Sequence, residues 1–441
     1  MSWQKSIPGN HSGQRSTNLE LYRIITMLLI IAHHYVVNSG LTDAGSPILA
    51  YPMAKRSLFL LLFGAWGKTG INCFVLITGY FMCKSRISAK KFFKIYFEMV
   101  FYSLAISAAF CLAGNSPIPW KYVLGVMLPI TYVADVFGFA FLLFFLCIPF
   151  LNVLVHSMNQ RMHAYLLLFL LFLYVVPGTF RFLFFVKMNY VSWFAALYLL
   201  AAYVRMYPSR LFADTKFWGI STLVCMALSG LSVVACAWRG TGNGSFDPYY
   251  FVTDSNTLLA VATGFSSFLF FKNLKIPYIS LINKLASTCF GVLCIHSGGD
   301  AMRRWLWMDV LNNVGVYYES WMPFHAIGSA VGIFLICAAI DLLRQKYLEA
   351  PFFRFWDRHW TGITEKYSAL ENKLFRKLNI RSCSLGTIKA DPGGVRFLAL
   401  LYFTKLLTIW AIFSTSSSVR YMCKGMVMMC WVTSWATGQE P

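Results

Sequence analysis

The sequence predicts an all-α, polytopic integral membrane protein. Hydrophobic residues make up 58% of the chain and charged residues only 12%, whereas about a quarter of the residues of an average soluble protein are charged. Apolar runs of about 20 residues, the length that crosses a bilayer as a helix, recur along the sequence. Lysines and arginines gather in the short segments between these runs, which is typical of multi-pass membrane proteins.

About ten spans are expected, because the apolar runs are separated by short polar segments over most of the chain. The candidate spans are residues 21–38, 58–82, 95–113, 133–155, 164–177, 190–207, 216–237, 254–271, 285–297 and 323–343. The fifth and the ninth are short for a bilayer, so tilted, broken and re-entrant helices are all open alternatives there.

Four regions follow from this pattern. Residues 1–20 form a polar amino-terminal segment and residues 21–343 the predicted transmembrane core. Residues 344–370 form an amphipathic ending, and residues 371–441 form an appendage of unassigned role behind a Gly- and Pro-containing linker. No small-residue cleavage site accompanies the first span, which is therefore expected to remain as an uncleaved anchor.

The distribution of positive charge predicts the orientation. The even-numbered loops hold more lysine and arginine than the odd-numbered loops, as after the second span, with Lys84, Arg86, Lys90, Lys91 and Lys94. Loops rich in these residues face the cytoplasm. Both ends of the ten-span core are therefore predicted to be cytoplasmic, in a protein of the cell membrane.

The sequence does not favour nucleic-acid binding, a metal site or a disulfide framework. The net charge of +21 is spread over short loops and forms no compact basic domain, so nucleic-acid binding is not expected. The twelve cysteines contain no CxxC pair and no metal-ligand spacing, so no metal site and no disulfide framework are expected.

The first span contains ionisable residues that hydrocarbon disfavours unless they have a function or a partner. Glu20 and Arg23 are three residues apart and can meet on one helix face. Arg23 and His34 are 11 residues apart, which is about three turns plus 20°, so both point the same way and lie about 16 Å apart along the axis. One face is thus predicted to carry a cation near the cytoplasmic surface and an imidazole near the middle of the bilayer.

This face suits a long anionic ligand that enters from the cytoplasm. The guanidinium of Arg23 can hold phosphates with paired hydrogen bonds, and Glu20 can orient it. His34 can act as a general base on a hydroxyl or carry a group transiently, and the sequence leaves both routes open. The plainer alternative is an interfacial ion pair and a structural histidine. A transporter or proton-coupled exporter would also place such residues in spans, and a membrane scaffold without chemistry is a third class.

Further candidates lie outside the first span. Lys90, Lys91 and Lys94 form either a topological anchor that touches anionic lipid or a landing patch for the phosphates of a donor. His296 is either a buried structural histidine or an acceptor-binding or second catalytic residue. His33 points about 100° away from His34 and is expected to form an interhelical hydrogen bond. Asp135, in the predicted fourth span, is a further candidate functional residue, because a charge buried in a membrane helix is costly unless it has a partner or a function.

Four stretches resemble one known family, the integral membrane acyltransferases called the acyltransferase-3 group. "NLELYRIITMLLIIAHHY" is similar to the family's opening helix, and "GINCFVLITGYFM" (70–82) to its second span. "INKLASTCFGVLCIHS" (282–297) resembles the late segment that ends in Ile-His, and "LLRQKYLEAPFF" (342–353) resembles the closing segment. Together with the basic loop at 87–97, the resemblance covers about residues 18–360.

The resemblance implies an enzyme that moves an acyl group, commonly acetyl, from cytoplasmic acyl-CoA to a hydroxyl of a surface carbohydrate or lipid-linked glycan. Arg23 and His34 match the family's functional pair. The implied partners are acyl-CoA, this acceptor and membrane lipids, and no tightly bound cofactor is implied. The basic loop departs from the family, since Lys90, Lys91 and Lys94 stand where many members have arginines, and lysine lacks the planar fork of a guanidinium.

Overall fold

A computed structural model describes residues 16–85, 87–114, 118–127, 137–181, 188–241 and 246–359, nearly all within one compact unit, Met1–Phe355. Every regular element of these residues is helical. In chain order the α-helices are α1 Thr17–Val37, α2 Pro47–Ala50, α3 Lys55–Phe63, α4 Gly67–Met82, α5 Ala89–Leu112, α6 Trp120–Met127, α7 Phe137–Ser157, α8 Gln160–Thr179, α9 Tyr190–Met206, α10 Arg210–Ala213, α11 Thr215–Gly240, α12 Leu258–Asn273, α13 Ser280–Ala286, α14 Cys289–His296, α15 Asp300–Arg304, α16 Asn313–Val316 and α17 Met322–Arg344. Two π-helical segments, Trp305–Val310 and Gln345–Glu349, continue α15 and α17.

Seven helices of the described residues are long and apolar enough to cross a membrane. They are Thr17–Val37, Lys55–Met82, Ala89–Leu112, Phe137–Ser157, Gln160–Thr179, Thr215–Gly240 and Met322–His359. Three shorter apolar helices, Tyr190–Met206, Leu258–Asn273 and Ser280–His296, coincide with the sixth, eighth and ninth predicted spans. The all-helical membrane architecture is confirmed, with seven full-length candidates among the ten predicted spans.

The fifth span is longer than the sequence pattern predicts. A short segment, 164–177, is expected, whereas α8 has 20 residues and begins at Gln160. The side chain of Asn159 caps this helix by accepting a hydrogen bond from the backbone of Met162. The polar first turn therefore belongs to the helix, although its low hydropathy hides it in the sequence.

The ninth span is broken, which was one of the alternatives that its length left open. It consists of α13 and α14, which are interrupted at Ser287 and Thr288. The hydroxyls of both residues donate to carbonyls of the preceding turn, those of Lys284 and Leu285. Such bonds compete with the regular backbone ladder, so the two hydroxyl residues account for the local interruption.

The second span contains a break that brings a backbone group to the first helix. The interruption between α3 and α4 lies at residues 64–66. The carbonyl of Gly64 there accepts a hydrogen bond from Nδ1–H of His33, at 2.7 Å. His33 is buried and thus makes the contact with a neighbouring span that its position around α1 predicts.

Helices α1 and α12 run in opposite directions, which defines two ends of the bundle. Asn18 donates to the carbonyl of Leu274 at 3.1 Å, and Tyr22, one turn further along α1, shares a hydrogen bond of 2.6 Å with Ser267. The end that contains the start of α1 is called the near end below, and the opposite one the far end. The near end corresponds to the predicted cytoplasmic side, and its orientation in a membrane stays a prediction.

Short segments cover the far end of α1. Leu41, Ile48 and Trp307 are fully buried and belong to the same hydrophobic core as Tyr35. His34 lies in the last turn of α1, three residues before the helix ends at Val37. His34 thus lies toward the far end of the bundle, next to this cover, and its depth in a membrane stays a prediction.

Close packing of α4 against α9 generates a stability prediction. A Cβ atom at Gly79 would lie 2.9 Å from the Cβ of Ala201 and 3.0 Å from the Cα of Tyr198. Gly79→Ala should therefore separate the helices and lower the stability by about 1–3 kcal/mol, the usual cost of overpacking. Thermal unfolding of the purified protein in detergent measures this change.

Gly328→Ala in α17 is the matched control, because a Cβ there meets no atom within 4 Å. Alanine is the better helix former, so this variant should unfold at the same or a slightly higher temperature. Equal unfolding temperatures for both variants would contradict the close α4–α9 contact.

Candidate functional site

The ion pair at the start of α1 forms as its spacing predicts. Nη1 of Arg23 lies 3.2 Å from Oε1 and 3.3 Å from Oε2 of Glu20. Glu20 is buried, and the Arg23 side chain keeps 26% of its surface exposed. The carboxylate of Glu20 therefore holds the guanidinium of Arg23 in place and leaves part of it accessible to a ligand.

Arg23 lines a cavity of about 370 Å³ between α1, α4, α5, α7 and α14. The near end of this cavity is basic, and its wall is largely aromatic and aliphatic. The lining residues are Arg23, Met27, Phe74, Thr78, Met82, Lys91, Lys94, Ile95, Glu98, Phe137, Phe141, Phe145, Ala286, Ser287, Cys289, Phe290 and Leu293. A ligand with a charged head and an extended, mostly apolar body fits such a wall.

Of the three lysines of the basic loop, two line the cavity and one does not. The side chain of Ser88 caps α5 by accepting from the backbone N–H of Lys91, so the helix includes all three lysines. Lys91 and Lys94 line the cavity together with Arg23. Lys90 is absent from the cavity wall, because it lies about 100° around the helix from Lys91, with its Nζ 5.5 Å from the ring centre of Phe353.

His34 and His296 meet at the far end of α1. Nδ1 of His34 lies 3.0 Å from Nε2 of His296, and Nδ1 of His296 lies 2.6 Å from the carbonyl oxygen of Val292. A carbonyl can only accept, so Nδ1 of His296 carries a proton that it donates to Val292. In the neutral ring Nε2 of His296 is then the acceptor, and Nδ1–H of His34 is the donor.

This chain of hydrogen bonds fixes the tautomer of His34. With its proton on Nδ1, neutral His34 has its lone pair on Nε2, the nitrogen that a general base or a nucleophile needs. No hydrogen bond to this Nε2 is made by any residue that the structure describes. His296 is fully buried, with Trp307 packed edge-on against its ring, while His34 is only partly buried.

The cavity and the histidine pair lie along the same two helix faces. On α1, Arg23 and Met27 line the cavity, and His34 follows on the same face, since α1 is uninterrupted from Thr17 to Val37. On α14, Leu293 lines the cavity and His296 is one turn further on. The lining ends before His34 and His296, so the structure aligns the two halves of the site without joining them in one open cavity.

The structure contains a buried ion cluster beside the cavity that the sequence pattern does not reveal, because Arg344 falls in the amphipathic ending, outside the predicted spans. Arg344 lies 3.1 Å from Glu98, 2.7 Å from Asp341 and 3.0 Å from Glu349. Glu349 in turn lies 2.6 Å from Nζ of Lys94. Charged residues inside the predicted third and tenth spans, Glu98 and Asp341, were the available signal.

The cluster fixes how α14 packs. Gly291 faces Asp341 so closely that a Cβ at this position would overlap the carboxylate. Tyr102 donates to Oδ1 of Asp341 at 2.8 Å, and Gln345 donates to Oδ2 at 2.7 Å. The cluster thereby ties α5, α14 and α17 together at the edge of the cavity.

Other predicted features lie outside the described residues. These are Asp135, residues 360–370 of the amphipathic ending and the whole appendage at 371–441.

Comparison of the sequence with known proteins identifies its family. A family model described as an acyltransferase domain matches residues 16–342. No curated protein and no solved structure matches the chain. The matched region contains Arg23, the lysines of α5, His34 and His296, and it covers well over half of the sequence. The chain therefore belongs to the acyltransferase-3 family of membrane acyltransferases.

Proposed function

We propose that this protein is an O-acyltransferase of the cell membrane that moves an acyl group, most simply acetyl, from cytoplasmic acyl-CoA to a hydroxyl of a surface carbohydrate or lipid-linked glycan. The observation that carries the proposal is the hydrogen-bond chain from Val292 through His296 to His34, which leaves Nε2 of His34 basic and unoccupied. The family match supports acyl transfer in general.

The basic end of the cavity is proposed to bind the donor. Arg23, Lys91 and Lys94 would hold the phosphates of acyl-CoA, and the aromatic wall would contact the pantetheine arm that carries the thioester toward His34. Arg23 and Lys94 each already have a carboxylate partner, Glu20 and Glu349, which would keep the cations in place before the donor arrives. Lys90 would act only as an exposed charge that attracts the donor to this end.

The acyl transfer step then follows from the tautomer of His34. As the acceptor hydroxyl oxygen attacks the thioester carbon, Nε2 of His34 takes the hydroxyl proton, and the imidazolium is stabilised by the neutral Nε2 of His296. The carbon–sulfur bond breaks, and the proton passes from His34 to the departing thiolate, giving the ester and free coenzyme A. The same Nε2 could instead attack the thioester and carry the acyl group before the hydroxyl receives it, and both routes use the same nitrogen.

Transport was the rival interpretation of ionisable residues in the spans. Among the charged residues of the spanning helices, Glu98, Asp341 and Arg344 are paired with one another in a buried cluster, and Arg23 is paired with Glu20. The family match favours acyl transfer over transport.

His34→Ala should lower acyl transfer by about 10²- to 10⁴-fold, the usual contribution of a general base. The measurement is incorporation of labelled acetyl from acetyl-CoA into membrane glycans, at matched abundance of the variants. His33→Ala is the control, because His33 bonds the Gly64 carbonyl and its loss should affect folding more than transfer. Full activity of His34→Ala would contradict the proposed chemistry.

His296→Leu should lower kcat about tenfold, the approximate worth of one hydrogen bond, and leave the KM for acyl-CoA unchanged. His296 is a positioning residue in this proposal, since its Nε2 accepts from His34 and fixes the tautomer. His296→Gln keeps a carbonyl oxygen that can accept this hydrogen bond and should restore part of the rate. Equal rates for the two variants would show that filling space is all that His296 does.

Arg23→Lys should raise the KM for acyl-CoA roughly tenfold with little change in kcat, because lysine keeps the charge and loses the paired hydrogen bonds. Arg181→Lys is the matched control, since Arg181 pairs with Asp254 at the far end, away from the cavity. Steady-state kinetics with acyl-CoA as the varied substrate separates the two. An equal KM in wild type and Arg23→Lys would reduce Arg23 to a topological anchor.

A further inference from the structure

One carboxylate of the cavity wall has no role in the mechanism above. Lys91, Lys94 and Glu98 follow one another at spacings of three and four residues on α5, so they share one helix face. All three line the cavity. Glu98 is the deepest of them, about 6 Å beyond Lys94 along the helix axis. A buried acid in a membrane helix is costly unless a partner or a function compensates for it.

An ion pair with Arg344 fixes the position of Glu98. Glu98 is only 4% exposed, and its Oε1 lies 3.1 Å from Nη2 of Arg344. Arg344 is held in turn by Asp341 and Glu349. The contact of Glu98 with Arg344 is an ion pair without a hydrogen bond, and Oε2 of Glu98 makes no hydrogen bond with any residue that the structure describes.

Neutralising Arg344 does not account for Glu98. Asp341 and Glu349 already give Arg344 two carboxylates at 2.7 and 3.0 Å. Glu98 is therefore a third carboxylate on the same guanidinium, while Lys94 pairs with Glu349. Of these three carboxylates, Glu98 is the one on the cavity wall, where a ligand can use it.

The carboxyl oxygens of Glu98 accept hydrogen bonds from N–H and O–H groups, and they offer no attraction to phosphate. The ligand group that suits this position is therefore uncharged and carries an N–H or O–H. In coenzyme A the groups directly after the phosphates are the hydroxyl and the first amide of the pantoyl unit. These groups would reach Glu98 if the phosphates lie at Lys91 and Lys94, one turn nearer to the surface.

We propose that Glu98 accepts a hydrogen bond from the pantoyl hydroxyl or the first amide N–H of the donor, and thereby sets how deeply the pantetheine arm enters the cavity. This proposal rests on the acyl-CoA assignment made above. Lys91 and Lys94 would attract the phosphates to the near end of the cavity. Glu98, one helical turn deeper, would keep the phosphates from moving further into it. The uncharged arm alone can pass, which sets the position of the thioester relative to His34.

The test combines a variant with altered ligands. Binding of coenzyme A to the purified full-length protein is compared with binding of three analogues: one without the pantoyl hydroxyl, one with an ester oxygen in place of the first amide N–H, and one with the same change at the second amide. For wild type, one of the first two changes should weaken binding roughly tenfold, as expected for one hydrogen bond. The third analogue should bind like coenzyme A itself.

Glu98→Gln keeps the shape of the side chain and replaces one of its acceptor oxygens by an amide NH₂ group. It should weaken binding of coenzyme A roughly tenfold and leave binding of the sensitive analogue unchanged, so that the preference for coenzyme A disappears. Asp341→Asn is the control, because Asp341 contacts the same arginine and is absent from the cavity wall. It should lower stability and retain the wild-type preference among the ligands.

The outcomes separate this proposal from the acyl-CoA assignment. Equal losses for coenzyme A and all analogues in Glu98→Gln, or no loss at all, would make Glu98 a structural partner of Arg344 only and leave the donor assignment intact. If wild type instead discriminates against the analogue that is changed at the second amide, the predicted depth of the pantetheine arm in the cavity would be overturned. No binding of coenzyme A to wild type would overturn both proposals, whereas binding with the expected preference and no acyl transfer would overturn the enzyme proposal alone.

Discussion

The proposed chemistry depends on one hydrogen bond, from Nδ1 of His296 to the carbonyl of Val292. The carbonyl belongs to the same helix, four residues earlier, so the ring is held by its own element. That bond makes the other nitrogen of His296 an acceptor and puts the proton of His34 on Nδ1. Trp307 packs against the ring and keeps water away. Without this bond either nitrogen of His34 could carry the proton, and its basic atom would have no fixed direction.

Helix α1 connects this pair to the basic end of the cavity, because its neighbours hold it along its whole length. Near its start Tyr22 bonds to Ser267 at 2.6 Å, and near its end the carbonyl of Tyr35 accepts from Asn313 at 2.9 Å. Met27, between the two, is fully buried. A helix held at both ends keeps a constant separation between Arg23 and His34, which the proposed use of both residues by one donor would require.

The sequence predicted what depends on helical spacing and missed what depends on tertiary contacts. Glu20 meets Arg23, and Arg23 shares a face with His34, because each pair lies within one helix whose period is known. The contact of His34 with His296 joins residues 262 positions apart, and no local pattern specifies it. For the same reason the sequence places Arg344 in the amphipathic ending, outside the spans, although Glu98 on a distant span pairs with it. Lys90 was grouped with Lys91 and Lys94 as one basic cluster, and helix rotation divides them.

The pairing of the cavity cations also bears on how a donor would be selected. Arg23 and Lys94 are held by Glu20 and Glu349 before any ligand enters. Bound phosphates would therefore share these cations with the carboxylates, which reduces the electrostatic gain, while preorganised side chains lose less entropy on binding. Phosphate alone would then bind modestly at this end, and discrimination would come from the neutral arm against Glu98 and the aromatic wall. Under the proposed function the site would meet many cytoplasmic phosphate compounds and would need this division, since attraction by charge is common to all of them.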